Sequence, residues 1–125
     1  MSRRNAFRIV PALVASLTLL AIAGPTLAQA TATAHTAATT VNVTASDFKF
    51  KLSVTSAKPG KVTFDVTNKG AVEHDFKIDG SKTPMIKHGK TATLTVTFKK
   101  AGSYPYLCTV PGHAQLGMKG TFKIT

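Results

Sequence analysis

A chain of 125 residues, with sixteen Lys and Arg against five Asp and Glu, carries a formal charge of +11 and is long enough for one domain. Its single cysteine excludes an intramolecular disulfide framework. All three arginines lie in the first eight residues, so beyond Ala30 thirteen lysines face five carboxylates, a net charge of +8. With no arginine there, no basic-aromatic motif and no recognisable nucleic-acid-binding helix, no nucleic acid is expected as a partner.

The chain opens with a cationic stretch, Ser2 to Arg8, followed by a mostly apolar run, Ile9 to Ala23, and a small-residue end, Pro25 to Ala30, with an Ala28-x-Ala30 pattern. That order predicts a secretory signal peptide over residues 1–30, cleaved after Ala28 or Ala30. The apolar run is fifteen residues long and contains Pro11, short of the ~20 that span a bilayer, so no integral membrane span is expected after cleavage. Arg3-Arg4 admits the twin-arginine route beside general secretion. No cysteine lies near the cleavage site to carry a lipid. The mature protein is therefore expected in the periplasm or outside the cell, as a monomer. Residues 31–40, almost all Ala and Thr, predict a flexible linker in which His35 is simply solvated.

From Val41 the pattern changes to period two, and residues 41–125 form the expected folded domain. Val41 and Val43, then Phe48, Phe50, Leu52 and Val54, alternate with polar neighbours and predict two strands. Lys58-Pro59-Gly60-Lys61 is a turn; Val62, Phe64 and Val66 give a third strand, stopped by Asn68-Lys69-Gly70. A short strand is expected over His74 to Ile78, and the stretch from Ser81 to Lys90, with Pro84 and Gly89, reads as a loop. Leu94, Val96 and Phe98 alternate next, then Tyr104, Tyr106 and Cys108, and last Met118, Gly120, Phe122 and Ile124. Seven or eight short strands with no helical pattern predict an all-β sandwich or barrel.

Cys108, His113 and Met118 are spaced five residues apart, on a segment short enough to close around one ion. An unpaired thiol outside the cytoplasm is exposed to oxidation unless it is buried or metallated. Thiolate, imidazole and thioether together suit copper, and two histidines, one cysteine and a weak axial methionine are the ligands of a blue-copper electron-transfer site. His74, at the start of a different strand, is the candidate for the missing imidazole. Zinc is the competing metal, but a thioether adds little to zinc, which favours further Cys, His or carboxylate donors. His88, in Lys87-His88-Gly89-Lys90, reads as an exposed turn residue. Met85 reads as packing on its own domain, with a role in an apolar docking surface as the alternative.

Cys108-Thr-Val-Pro-Gly-His113 resembles the copper loop of the cupredoxins, in the form seen in azurins, while the four residues between His113 and Met118 are similar to plastocyanins and auracyanins. Glu73-His74-Asp75-Phe76 is similar to the segment that carries the family's first histidine, and the resemblance runs from about Val41 to Thr125. It implies a Greek-key β-sandwich of seven to eight strands and one type 1 copper ion on His74, Cys108, His113 and Met118. It also implies that the backbone N–H groups of Asp75 and Val110 donate to the Cys108 sulfur. Many members have Asn where this chain has Asp75, so the bridge from that side chain to the copper loop, through Thr109, is expected to differ. The residue before the cysteine is Leu107 where plastocyanins have Tyr, so their second electron route is not carried over.

The expected function is one-electron transfer through the exposed edge of His113, ringed by Pro111, Gly112, Ala114 and Leu116, with lysines steering an acidic redox partner. No enzyme activity is expected. A carrier that delivers copper to an oxidase is the alternative, although such proteins tend to use exposed Met and His without a thiolate. A copper nitrite reductase would need a second metal site that the two spare histidines do not supply.

Overall fold

The computed structural model describes Gly24 and residues 37–125. The expected signal peptide, Gly24 apart, and His35 lie outside the described residues.

The alternation that begins near Val41 becomes β1 (Thr39–Ser46), in which Val41, Val43 and Ala45 are buried while Asn42 and Thr44 face water. A tight turn leads to β2 (Lys49–Leu52), and the two-residue β3 (Ser56–Ala57) precedes β4 (Gly60–Asn68). Val62, Phe64, Val66 and Asn68 all point inward from β4. The short β5 (Lys77–Ile78) and β6 (Ser81–Lys82) follow, then the longer β7 (Thr91–Phe98), β8 (Gly102–Leu107) and β9 (Lys119–Ile124). Among the described residues there is no helix.

Two sheets result, one of four strands in the order β2-β1-β4-β7 and one of five in the order β3-β9-β8-β5-β6. β1 and β4 run parallel in register from Thr39↔Val62 to Ala45↔Asn68, whereas β4 and β7 are antiparallel. Between the sheets the inward aromatic residues interlock: Phe64 lies 5.2 Å from Phe76 and 5.3 Å from Phe122, centroid to centroid. All three are fully buried. Offset and edge-on pairs of this kind add about 0.5–1.5 kcal/mol each beyond the area they bury.

The all-β sandwich is as the sequence predicts, but its strands differ in detail. Nine form among the described residues, because pairs as short as β3 and β6 arise from backbone ladders that no alternation of side chains marks. β1 starts at Thr39, inside the expected linker, since Thr39 and Thr40 pair with Val62 and Thr63. Phe48 belongs to the turn before β2, and Val54 is 43% exposed rather than on the core face. His74 lies outside β5 and is held by an isolated bridge to Ile86, in the stretch that reads as a loop.

Candidate metal centre

Three connections meet at one end of the sandwich: the β1–β2 turn, the segment between β4 and β5, and the loop between β8 and β9. Asn68, buried at the end of β4, organises the second of them. Its Nδ2 donates to the carbonyls of Val72 (2.7 Å) and Ile86 (2.8 Å), and its Oδ1 accepts from the N–H of Gly70 (2.8 Å). Those bonds curl the chain so that His74 enters the interior with no exposed surface. The two hydrogen bonds of the bridge to Ile86, 3.2 and 2.7 Å, fix its backbone.

The third connection is pinned at both ends. Cys108 N–H donates to the Met118 carbonyl at 3.0 Å, continuing the β8–β9 ladder, and Met118 N–H donates back to the His113 carbonyl at 3.0 Å. The loop is thereby folded into compact turns, with Cys108 and Met118 fully buried and His113 half-buried. Gly117, with φ at +115°, takes the conformation that lets the last turn close under Phe48.

His74 Nδ1 lies 3.1 Å from His113 Nδ1, and the Cys108 Sγ stands 4.0 Å from the first and 3.6 Å from the second. Donors that share one ion at about 2.0–2.3 Å must lie within about 4.6 Å of one another. All three edges meet that condition. These three are also the one group of metal-capable His, Cys and carboxylate side chains among the described residues. Met118, the chain's third soft donor type, is buried beside them on the loop.

The surroundings prepare these donors. His74 Nε2 is 2.7 Å from Asp47 Oδ1, and Asp47 Oδ2 accepts the Ala71 N–H at 2.7 Å. Those two partners, the Ala71 amide first, hold the Asp47 carboxyl below its ordinary value. The Phe48 ring meets the His113 ring edge-on at 4.9 Å. Asp75, wholly buried, accepts hydrogen bonds from the N–H of Thr109 at 2.6 Å and from the Thr109 hydroxyl, and it lies 3.4 Å from Lys82 Nζ. Burial alone would raise the Asp75 carboxyl, but the bonds from Thr109, with smaller help from Cys108 and Lys82, outweigh it and leave it lowered. The side-chain bridge from Asp75 to the β8–β9 loop, through Thr109, is therefore made, and by a carboxylate.

Burial pushes the Cys108 thiol up, against backbone N–H groups of Asp75 and Val110 that point at its sulfur. A protonated thiol must lose its proton on meeting a metal, so binding releases H⁺.

The structure brings three of the residues expected from the sequence together, His74, Cys108 and His113, and buries the fourth, Met118, where its backbone bonds to Cys108 and His113. His88 is exposed as expected, with Nδ1 2.7 Å from the Gly70 carbonyl oxygen, and Met85 is 49% exposed rather than packed on its domain. Asp47, Phe48 and Asn68 are the functional neighbours that sequence reasoning missed. Ser46-Asp47 looks like an ordinary turn, and nothing local ties it to a histidine 27 residues on.

A β-sandwich that gathers one cysteine sulfur and two imidazole nitrogens, with a methionine buried at the end of the same loop, defines a mononuclear copper protein of the type 1 class, and its cofactor is copper. The sequence pattern of the cupredoxin-like domain matches residues 13–122, and the chain belongs to that family. Auracyanin-B of Chloroflexus aurantiacus is 42% identical over 43 residues, 34% of this chain and 18% of that protein. The copper-resistant cuproprotein CopI of Vibrio cholerae is 30% identical over 90 residues, 55% of this chain and 53% of that protein. CopI of Pseudomonas aeruginosa is 40% identical over 49 residues, covering 39% and 27%. The chain thus spans about half or less of the length of the curated relatives it matches. Among solved structures, reduced auracyanin of Roseiflexus castenholzii superposes with a TM-score of 0.62 at 20% identity, over 70% of this chain and 97% of that one. Auracyanin B gives 0.59 at 25% identity, over 71% and 89%.

Proposed function

We propose that the protein is an exported blue-copper electron carrier, in which His74, Cys108 and His113 would hold the copper strongly and Met118 would be the weak fourth donor. The observation that carries this reading is the convergence of His74 Nδ1, Cys108 Sγ and His113 Nδ1 within 4.0 Å of one another, on loops braced from outside. Bound copper supplies one-electron exchange between Cu(I) and Cu(II). The chain's own residues do the rest. Asn68 and the Asp75–Thr109 bridge hold the two ligand-bearing segments in place, so the donors need move little when charge changes. The backbone amides of Asp75 and Val110 face the sulfur and favour its charged form.

His74, Cys108 and Met118 are buried and of the four only His113 reaches the surface, which leaves little room for a substrate beside a bound ion. That supports a carrier over an enzyme. His113 alone reaches the surface, beside exposed Pro111 and Leu116, and is the exit for the electron. The partner is a redox protein with an acidic docking surface, met in the periplasm or outside the cell.

Adding Cu(II) to the purified mature protein is expected to give an intense blue colour that bleaches reversibly with ascorbate, and Cys108→Ser to abolish it. A colourless wild-type product sinks the assignment. The kinship with two copper-resistant cuproproteins favours a second reading, in which the protein holds or delivers copper under copper stress. A deletion strain that becomes copper-sensitive, while electron flow to the terminal acceptor is unchanged, would select that reading.

A further inference from the structure

We propose that Asp47 is the positioning residue of this centre: by accepting the Nε2–H of His74 it fixes Nδ1 as the inward lone pair, and its charge biases the site toward Cu(II). The inference rests on the copper reading above and names what sets the state of its buried ligand.

A neutral imidazole carries one N–H, and the nitrogen that faces a carboxylate is the one that keeps it. His74 Nε2 faces Asp47 Oδ1 at 2.7 Å, so Nδ1, which faces His113 and Cys108, is left as the acceptor. His74 has no exposed surface, and water therefore offers no substitute partner. Were the proton on Nδ1 instead, the ring would present N–H to the ligand cluster, and the Asp47 oxygen would face a bare nitrogen.

Asp47 is itself held. Its second oxygen takes the Ala71 N–H at 2.7 Å, and its side chain remains 30% exposed. Gly70 makes the approach feasible: a Cβ there would collide with the Asp47 carboxylate and stand 2.8 Å from His74 Nε2. Three features of one short segment, the bare Gly70, the Ala71 amide and the inward His74, are thus fitted around a side chain from the β1–β2 turn. A carboxylate bonded to the far side of a ligand imidazole raises its basicity, and loss of such a partner typically weakens metal binding 10–100-fold. A more basic ligand with a negative charge behind it favours the more highly charged ion.

The tautomer is read without metal, by ¹⁵N–¹H correlation of the apoprotein imidazoles. Wild type is expected to show His74 protonated at Nε2 alone, and Asp47→Ala to lose that single form. Competition titrations with Cu(II) and Cu(I) then test the charge. Asp47→Asn is expected to weaken Cu(II) about tenfold more than Cu(I), a rise of about 59 mV in reduction potential. A general loss of packing would lower both affinities alike, and a potential at the wild-type value would overturn the charge role. An apoprotein with His74 protonated at Nδ1 would overturn the positioning role. A wild-type protein that takes up no copper would instead sink the function proposed above, while the metal-free tautomer result would still decide the positioning role.

Discussion

At the scale of single residues, the centre is a contest between groups that favour charge and burial that opposes it. The Val110 amide faces the Cys108 sulfur and favours its charged form, which draws electron density from a bound ion and eases its reduction. Val110→Pro removes that donor. Its reduction potential should fall, by about 59 mV if the lost bond favours Cu(I) by about 1.4 kcal/mol, and voltammetry on the wild type and variant checks it. The two carboxylates give a pH prediction for the metal-free protein. Asp47, through the Ala71 amide and His74, and Asp75, where Thr109 overcomes burial, both sit below the ordinary 3.8 when folded. The folded state thus binds fewer protons than the unfolded chain just below that value. Their contribution is complete above about pH 4 and is lost as pH falls through the lowered folded values. Thermal unfolding of the apoprotein should show its midpoint dropping on acidification below pH 4, and the Asp47→Asn, Asp75→Asn double variant should flatten that limb.

At the scale of elements, legibility followed the range of the interactions. β1, β4, β7 and β9 are written in alternation, because each buries one face and the pleat repeats every two residues. The ligands Cys108, His113 and Met118 are equally legible, since one loop carries all three and their chemistry is unusual in combination. β3, β5 and β6 are not, because two-residue pairings depend on where neighbouring strands happen to lie. Asp47 and Asn68 were hidden for the same reason: each is a common turn or strand-end residue whose partner is chosen by the tertiary fold. The β8–β9 loop also shows how much backbone its ligands need. Gly117 sits at φ +115°, which side-chain-bearing residues rarely adopt, although its Cβ position meets only the Phe48 carbonyl at 3.5 Å. Gly117→Ala therefore costs backbone strain rather than collision, about 1–3 kcal/mol. The apoprotein's unfolding midpoint should fall by about 4–8 °C per kcal/mol in a scanning calorimeter, and a midpoint within a degree of wild type would show that the loop relaxes freely.

At the scale of the whole molecule, charge and site occupy separate territories. The donors lie inside, while all thirteen lysines are exposed and the net charge beyond Ala30 is +8. Lysines spread singly contribute little to the stability of a fold, but their summed field acts at a distance and can raise encounter rates with an oppositely charged partner by 10–10³-fold at low salt. Lys49 follows Phe48, Lys69 precedes Gly70, Lys119 follows Met118, and Lys77 opens β5, so these four flank the segments that build the centre. Each Lys→Glu reversal removes two positive charges, and four of them take +8 to zero. Against an acidic redox partner, the quadruple variant should react at least about tenfold more slowly than wild type at low ionic strength. The two rates should converge near 1 M salt, where the screening length shrinks to about 3 Å. The reduction potential, set by buried groups, should stay close to that of wild type. Stopped-flow mixing across a salt series separates the cases: rates that coincide at every ionic strength would mean that contact at the apolar rim of His113, rather than the field of the lysines, selects the partner.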